Sequence, residues 1–113
     1  MANLLKIKII LMALTLFTTC AESRTMTTSW YYRGHTTASG EKFNPNRLTA
    51  AHKHLPFGTK LKLRYKGRCV TVRITDRGPF IRGRHLDISK GAARALAFKG
   101  VDKVEILSII KPS

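Results

Sequence analysis

Residues 70–80, which read VTVRITDRGPF, decide how the chain is expected to fold. Val70, Val72 and Ile74 recur at every second position, and this is the period of a β-strand with one buried face. Counting by two places Asp76 on that same face, where a carboxylate is costly unless it has a partner or a chemical use. The Gly-Pro pair that follows turns the chain at once, so we expect Asp76 at the rim of a sheet. A partly desolvated acid at a rim is suited to donating a proton, and the alternative is an aspartate that caps the turn.

The segment before this strand is expected to pair with it. Leu61, Leu63 and Tyr65 alternate with basic residues, which predicts a half-buried strand with a basic outer face. A tight connection at residues 66–68 leads back into the second strand, so the two form a β-hairpin. Cys69 falls on the polar side of that hairpin.

Shorter elements are expected after the hairpin. Ser89 is a suitable N-cap for a helix that runs to about Phe98 and stops at Gly100. Residues 103–110 have apolar side chains on both faces, which is typical of a strand in a closed sheet. One face is expected to consist of Val104, Ile106, Ser108 and Ile110. Several short strands with one or two short helices predict a small, mainly β barrel. We place this domain at residues 28–110.

The N-terminus has the pattern of a secretory signal. Lys6 and Lys8 precede an apolar run at residues 9–17 that is too short to span a bilayer. Cleavage after Ala21 would make residues 1–21 the signal peptide and leave residues 22–27 as a short polar tail before a first strand near residues 29–32. The alternative is lipid attachment at Cys20, although the residues before it match the lipoprotein pattern poorly. We expect an exported protein of the periplasm or cell envelope, with a lipid-anchored or peripheral membrane contact as the less favoured outcome.

The composition is strongly basic, with 21 Lys and Arg against six Asp and Glu. Loss of Lys6 and Lys8 with the signal leaves 19 basic and six acidic residues, a net charge of +13. Such a charge attracts polyanions, and for an exported chain these are wall polymers and membrane surfaces. Nucleic acid is not expected as a partner, because the chain has no recognised nucleic-acid motif. Cys69 is left without an intrachain partner, and no cysteine spacing typical of a metal site occurs.

Five short sequence words occur in one order: TASGE at 37–41, LTAAH at 48–52, LPFGT at 55–59, DRGPF at 76–80 and GRHLDIS at 83–89. Together they closely resemble the RlpA-like family of bacterial cell-wall proteins. The resemblance covers about residues 28–108 and implies a six-stranded double-psi β-barrel, related in architecture to expansins, with a long groove across it. Tyr32 stands where the family usually has Gly, and the loop after it is shorter than usual.

The resemblance also implies an activity. The characterised branch of the family consists of lytic transglycosylases, which cut the MurNAc–GlcNAc bond of peptidoglycan and prefer peptide-poor glycan strands. It implies His52 and Asp76 as the catalytic pair, whereas without it His52 would be read as a hydrogen-bonded structural histidine. Two alternatives stay open: a non-catalytic, expansin-like glycan-binding or wall-loosening module, and ordinary hydrolysis with a second carboxylate.

Further residues are candidates for the site. Asp87 belongs to a His-x-Asp word similar to that of expansins and is the second acid to test. The alternative interpretation is that Asp87 only stabilises the N-terminus of the following helix. By alternation with its apolar neighbours, Asp87 points away from the core. The expected groove residues are Trp30, Tyr31, Ser39, Gly40, Glu41, Arg77 and Arg84. We expect a monomer that binds glycan strands, with no cofactor and no metal, although His52 and His54 form an H-x-H pair.

Overall fold

The computed structural model describes residues 24–34 and 36–113. The expected signal peptide, residues 1–21, and its Cys20 lie outside the described residues. Within the described part, no helix has both the length and the apolar character needed to cross a membrane. The elements are β1 (Arg24–Tyr31), β2 (Thr49–His52), β3 (Lys60–Tyr65), β4 (Arg68–Asp76), β5 (Leu86–Ser89), α1 (Lys90–Leu96) and β6 (Asp102–Ile110).

The six strands form a closed barrel in the order β1-β5-β2-β4-β3-β6. Strands β1 and β5 pair in parallel, as do β2 and β4, while the other neighbours are antiparallel. Closure pairs each of these six strands on both sides, so none of the six has an open edge. The predicted six-stranded, mainly β barrel is confirmed, with one short helix among the described residues.

The β3–β4 hairpin forms as predicted. Leu61 lies opposite Val72 and Leu63 opposite Val70, and these side chains belong to the hydrophobic core. Cys69 is exposed on the polar side. This hairpin therefore supplies one wall of the barrel interior.

A β-bulge in β4 changes the direction of Asp76. Ala50 pairs with Ile74, but Ala51 pairs with Asp76, so Thr75 is an extra residue in β4. One extra residue reverses the alternation beyond it. The expectation that Asp76 shares the core face of Ile74 is therefore wrong, and Thr75, with only 1% of its surface exposed, is buried instead.

A second register shift has the same effect in β6. Leu63 pairs with Ile106 whereas Lys62 pairs with Ser108, so Leu107 is the extra residue. Beyond it the faces exchange: Ile109 packs against the core, while Ile110 is 60% exposed. The prediction that Ile110 shares the face of Val104 and Ile106 is wrong for this reason.

Two element boundaries also differ from those expected. Strand β1 begins at Arg24, so the described part of the expected polar tail is strand, because its backbone pairs antiparallel with β6. Helix α1 is capped by Ser89 as predicted, but it ends at Leu96. Its C-cap is Ala97, which has a left-handed backbone and donates its N–H to the carbonyls of Ala93 and Arg94. Gly100 is therefore not the stop that the sequence indicated.

Candidate functional site

A cleft of about 360 Å³ opens on the outer face of the barrel, beside the C-terminal ends of β1 and β4. The loop after β4 forms one of its walls. Six of the residues expected in a site line it: Trp30, Tyr31, Asp76, Arg77, Arg84 and Asp87. Residues that are scattered along the sequence are thus brought to one surface.

Asp76 and Asp87 flank Ala51 at the floor of this cleft. Ala51 of β2 is the register partner of Asp76 on β4 and of Asp87 on β5. Adjacent strands lie roughly 4.8 Å apart, so the Cα atoms of the two acids are separated by about 10 Å. The methyl group of Ala51 is the only side chain between them in this register, and it leaves open space between two carboxylates.

Asp87 is half-buried, and its carboxylate has one clear partner. The hydroxyl of Ser29 on β1 donates a hydrogen bond of 2.9 Å to its Oδ1. Burial raises the pKa of Asp87, and Asp76 adds to the rise, while the Ser29 hydrogen bond and Arg84 oppose it. The neighbouring residues Leu86 and Ile88 are fully buried, so the prediction that Asp87 points away from the core is confirmed.

Asp76 is held by backbone N–H groups. Its Oδ1 accepts hydrogen bonds from Ala38 and from Arg77, each 2.9 Å long. Hydrogen bonds of this kind suit an ionised carboxylate. Within the described residues, Oδ2 has no hydrogen-bond partner, so this oxygen is available to a substrate.

The loop with Ser39, Gly40 and Glu41 braces Asp76 from outside the cleft. Gly40 has a φ of 90°, which favours glycine, and the N–H of Ser39 donates to the carbonyl of Thr75. Glu41 forms an ion pair of 3.0 Å with Arg73. These three residues do not line the cleft; they fix the loop whose Ala38 N–H holds Asp76.

Tyr31 and Trp30 form the aromatic side of the cleft. Tyr31 stacks on Phe43 with ring centroids 4.9 Å apart. Burial raises the pKa of the Tyr31 phenol, as do the nearby carboxylates of Asp76 and Asp87. Trp30 packs partly against the core, and its indole N–H donates to the carbonyl of Lys99.

The two predicted arginines have different roles. The guanidinium of Arg77 donates to the carbonyls of His52 (3.2 Å) and Leu55 (2.8 Å) and lies 4.0 Å from the ring centroid of Phe57. It is therefore largely occupied in holding the loop after β2. Arg84 has no such backbone bonds among the described residues, and it contributes positive charge next to Asp87.

His52 organises its own turn. Its Nδ1 accepts the N–H groups of His54 (3.1 Å) and Leu55 (3.0 Å). A nitrogen that accepts two hydrogen bonds carries no proton, so the neutral ring bears its proton on Nε2. Burial lowers the pKa of His52, and the charges of His54, Arg77, His85 and Lys53 lower it further.

The structure does not join His52 to Asp76 directly. Neither a hydrogen bond nor an ion pair links the two in the described part of the chain, and the residues that line the cleft do not include His52. The geometry instead brings Asp76 together with Asp87. His52 contributes to the site through the loop that Arg77 also holds.

Three of the cleft residues that were not expected in the site have a clear place in it. Ser29 binds Asp87, Ala51 separates the two acids, and Phe80, which is 80% exposed, lines the cleft. Nothing in the sequence around Ser29 or Ala51 indicates a role in the site, because that role depends on the register with distant strands. Phe80 is the exception, because it belongs to the DRGPF word that also contains Asp76 and could have been predicted from it.

No group of three or more His, Cys, Asp or Glu side chains suitable for a metal ion occurs within residues 24–34 and 36–113. The functional groups that line the cleft are two carboxylates, a phenol, several guanidinium groups and aromatic rings, of which that of Phe80 is exposed.

Comparison with known proteins places these features in context. A family model described as lytic transglycolase matches residues 23–107. The chain is 52% identical over 85 residues to a probable endolytic peptidoglycan transglycosylase RlpA of Synechocystis, covering 69% of this chain and 26% of that protein. It is 53% identical over 70 residues to the endolytic peptidoglycan transglycosylase RlpA of Campylobacter jejuni, covering 58% of this chain and 26% of that protein. The matched region thus spans about a quarter of the length of these relatives.

A solved structure has a similar fold. The Streptomyces papain inhibitor aligns with a TM-score of 0.59 at 19% identity, covering 78% of this chain and 96% of the inhibitor. This similarity concerns the fold alone. With the family model, it confirms the predicted double-psi β-barrel.

Proposed function

The chain belongs to the lytic transglycolase family, and from this and the cleft we propose that it cleaves glycan strands of peptidoglycan as a lytic transglycosylase. The proposed reaction breaks the MurNAc–GlcNAc bond, acts on peptide-poor strands and leaves anhydro-muramyl ends. The names of the RlpA relatives support the peptidoglycan substrate. The single observation that carries the proposal is the pair of acids, Asp76 and Asp87, on either side of Ala51.

The two acids differ in the way that the reaction requires. Cleavage needs a proton donor for the bridging oxygen and negative charge near the oxocarbenium-like transition state. The raised pKa of Asp87 supports it as the donor, and the two N–H groups on Asp76 support it as the carboxylate. In this division Asp76, for which the sequence suggested the role of proton donor, is instead the proton acceptor.

The proposed steps conserve protons. Asp87 gives its proton to the bridging oxygen as the bond from that oxygen to the muramyl C1 breaks. The C6 hydroxyl of the same muramyl unit forms the new bond to C1, and Asp76 takes the proton which that hydroxyl loses. A proton then returns from Asp76 to Asp87 through solvent, so no protein nucleophile and no external water enters the product.

The substrate requires the protein to leave the cytoplasm. Peptidoglycan lies outside the cytoplasmic membrane, so the proposal includes export to the periplasm or cell envelope through the N-terminal signal. We propose that the protein acts there as a monomer. Mass spectrometry of the protein from envelope fractions distinguishes cleavage after Ala21 from a lipid on Cys20.

The test uses the purified protein with peptide-free and peptide-bearing glycan strands, and mass spectrometry of the products. We expect anhydro-muramyl ends, more of them from peptide-free strands, and a loss of about 10²- to 10⁴-fold in Asp76→Asn. Asn is the matched replacement, because its Oδ1 still accepts the N–H groups of Ala38 and Arg77 while the charge is removed.

The other outcomes identify other functions. New reducing ends would mean hydrolysis. Saturable binding with no new ends would mean an expansin-like binding module, for which the exposed aromatic Phe80 is suited. Activity in Asp76→Asn within tenfold of the wild type would rule out the proposed role of this acid.

A further inference from the structure

A second pocket, of about 400 Å³, lies beside the cleft and against helix α1. We call it the α1 pocket. Its apolar lining includes Trp30, Ala97 and Phe98, and its cationic lining consists of Lys90, Arg94 and Lys99. The buried ring of Phe98 packs edge-on against Tyr65, with centroids 5.0 Å apart, so the apolar floor is fixed in place.

The positive charge of this pocket is uncompensated. Within residues 24–34 and 36–113 no acidic residue lines it, and the two ion pairs of that part of the chain, Arg64–Glu105 and Arg73–Glu41, lie elsewhere. Arg94 suits the C-terminal turn of α1, whose carbonyl end is electronegative. Lys90 is the first residue of the helix, where positive charge is unfavourable, so the helix dipole does not explain its position.

The α1 pocket and the cleft share one wall, because Trp30 lines both. A polymer that occupies the cleft therefore reaches the α1 pocket by passing the indole ring. The residues that line the α1 pocket then determine which sugar unit of the polymer binds there. Apolar surface suits acetamido methyl groups and the C–H faces of a sugar, and three cations suit a carboxylate.

We propose that the α1 pocket is a distal subsite which binds a carboxylate-bearing sugar of the same strand: a muramyl unit whose lactyl carboxylate is free of peptide. This inference rests on the proposed function, since it extends the same glycan past the two acids. It assigns the selection of peptide-free strands to Lys90, Arg94 and Lys99. A peptide on the lactyl group removes the carboxylate charge that these residues bind.

The test compares two uncleaved oligosaccharides of equal length, one a peptide-free peptidoglycan fragment and the other a chitooligosaccharide, which lacks the lactyl carboxylate. Binding is measured by calorimetry at 0.15 M salt in an Asp76→Asn background, with mass spectrometry to verify that the ligand stays intact. The test variant is Arg94→Ala/Lys99→Ala. The control is Lys60→Ala/Lys62→Ala, which removes the same charge from the exposed face of β3.

We expect the test variant to bind the peptidoglycan fragment about two- to thirtyfold more weakly, from two exposed ion pairs, and the chitooligosaccharide with unchanged affinity. The control should change either affinity by less than about twofold, because Lys60 and Lys62 line neither the α1 pocket nor the cleft and exposed charges are screened at this salt concentration. Unchanged affinity of the test variant for the fragment, or an equal loss for both ligands, would overturn the inference. A protein that binds in this selective way but cleaves nothing would instead refute the proposed activity alone.

Discussion

The imidazole of His52 allows a test of how the site is built, because two replacements separate its hydrogen bonds from its other properties. His52→Ala removes the acceptor of the His54 and Leu55 N–H groups. His52→Asn keeps an acceptor, since the Asn Oδ1 lies the same number of bonds from the backbone as the imidazole Nδ1. We expect the alanine variant to be destabilised and the asparagine variant to be nearly as stable as the wild type.

The magnitude follows from the two hydrogen bonds. Each contributes about 0.5–1.5 kcal/mol, so His52→Ala should lose about 1–3 kcal/mol of unfolding free energy. With an m value of about 1 kcal/mol per molar urea for a small domain, the urea midpoint falls by about 1–3 M. His52→Asn should stay within about 0.5 kcal/mol of the wild type.

The assay is urea unfolding at pH 7.5, followed by the fluorescence of Trp30, the single tryptophan of the chain. Equal midpoints for His52→Ala and the wild type, or equal losses in both variants, would refute the structural role of Nδ1. The pH dependence gives a second check. Because the folded-state pKa of His52 lies below 6.5, the unfolded chain binds the proton first as the pH falls through 6.5. The wild type should therefore lose stability relative to His52→Asn from about pH 6.5 down to the folded-state pKa.

Two further predictions concern the acids and the space between them. Asp87→Asn should raise the melting temperature at pH 7 and leave it unchanged well below pH 3.8. The reason is that the pKa of Asp87 is raised in the folded state, so the ionised carboxylate destabilises the fold only above that pH. Cleavage by this variant should fall about 10²-fold or more. A lower melting temperature at pH 7 would contradict this reasoning. Ala51→Leu should fill the space between the acids and reduce cleavage about 100-fold, while Ala51→Ser, which adds one atom, should lose far less. Equal activity of the two Ala51 variants in the same assay would show that the glycan does not pass between Asp76 and Asp87.

The parts of the fold that the sequence predicted are those with local patterns. The β3–β4 hairpin follows from uninterrupted alternation and a short connection, and the N-cap of α1 follows from Ser89. The outward direction of Asp87 was also predictable, because β5 pairs with both neighbours without an extra residue. Where two strands keep register, counting by two gives the correct face.

The predictions that failed depend on partners far away in the sequence. The extra residues Thr75 and Leu107 are defined only against β2 and β3, and nothing in the local pattern of β4 or β6 marks them. The sequence left the role of His52 open for another reason. Its hydrogen bonds are local, but an imidazole that accepts two backbone N–H groups has the same sequence signature as one that performs catalysis.

The bulge at Thr75 explains how an acid can end a strand of the core. Without the extra residue, Asp76 would follow Ile74 into the barrel interior, where an unpaired carboxylate is strongly destabilising. With it, the buried position is filled by a small hydroxyl residue, and the carboxylate reaches the face where Ala51 and Asp87 lie. The same step brings Asp76 within reach of the Ala38 and Arg77 N–H groups that hold it. The register shift, more than the identity of any single side chain, is therefore what assembles the two acids.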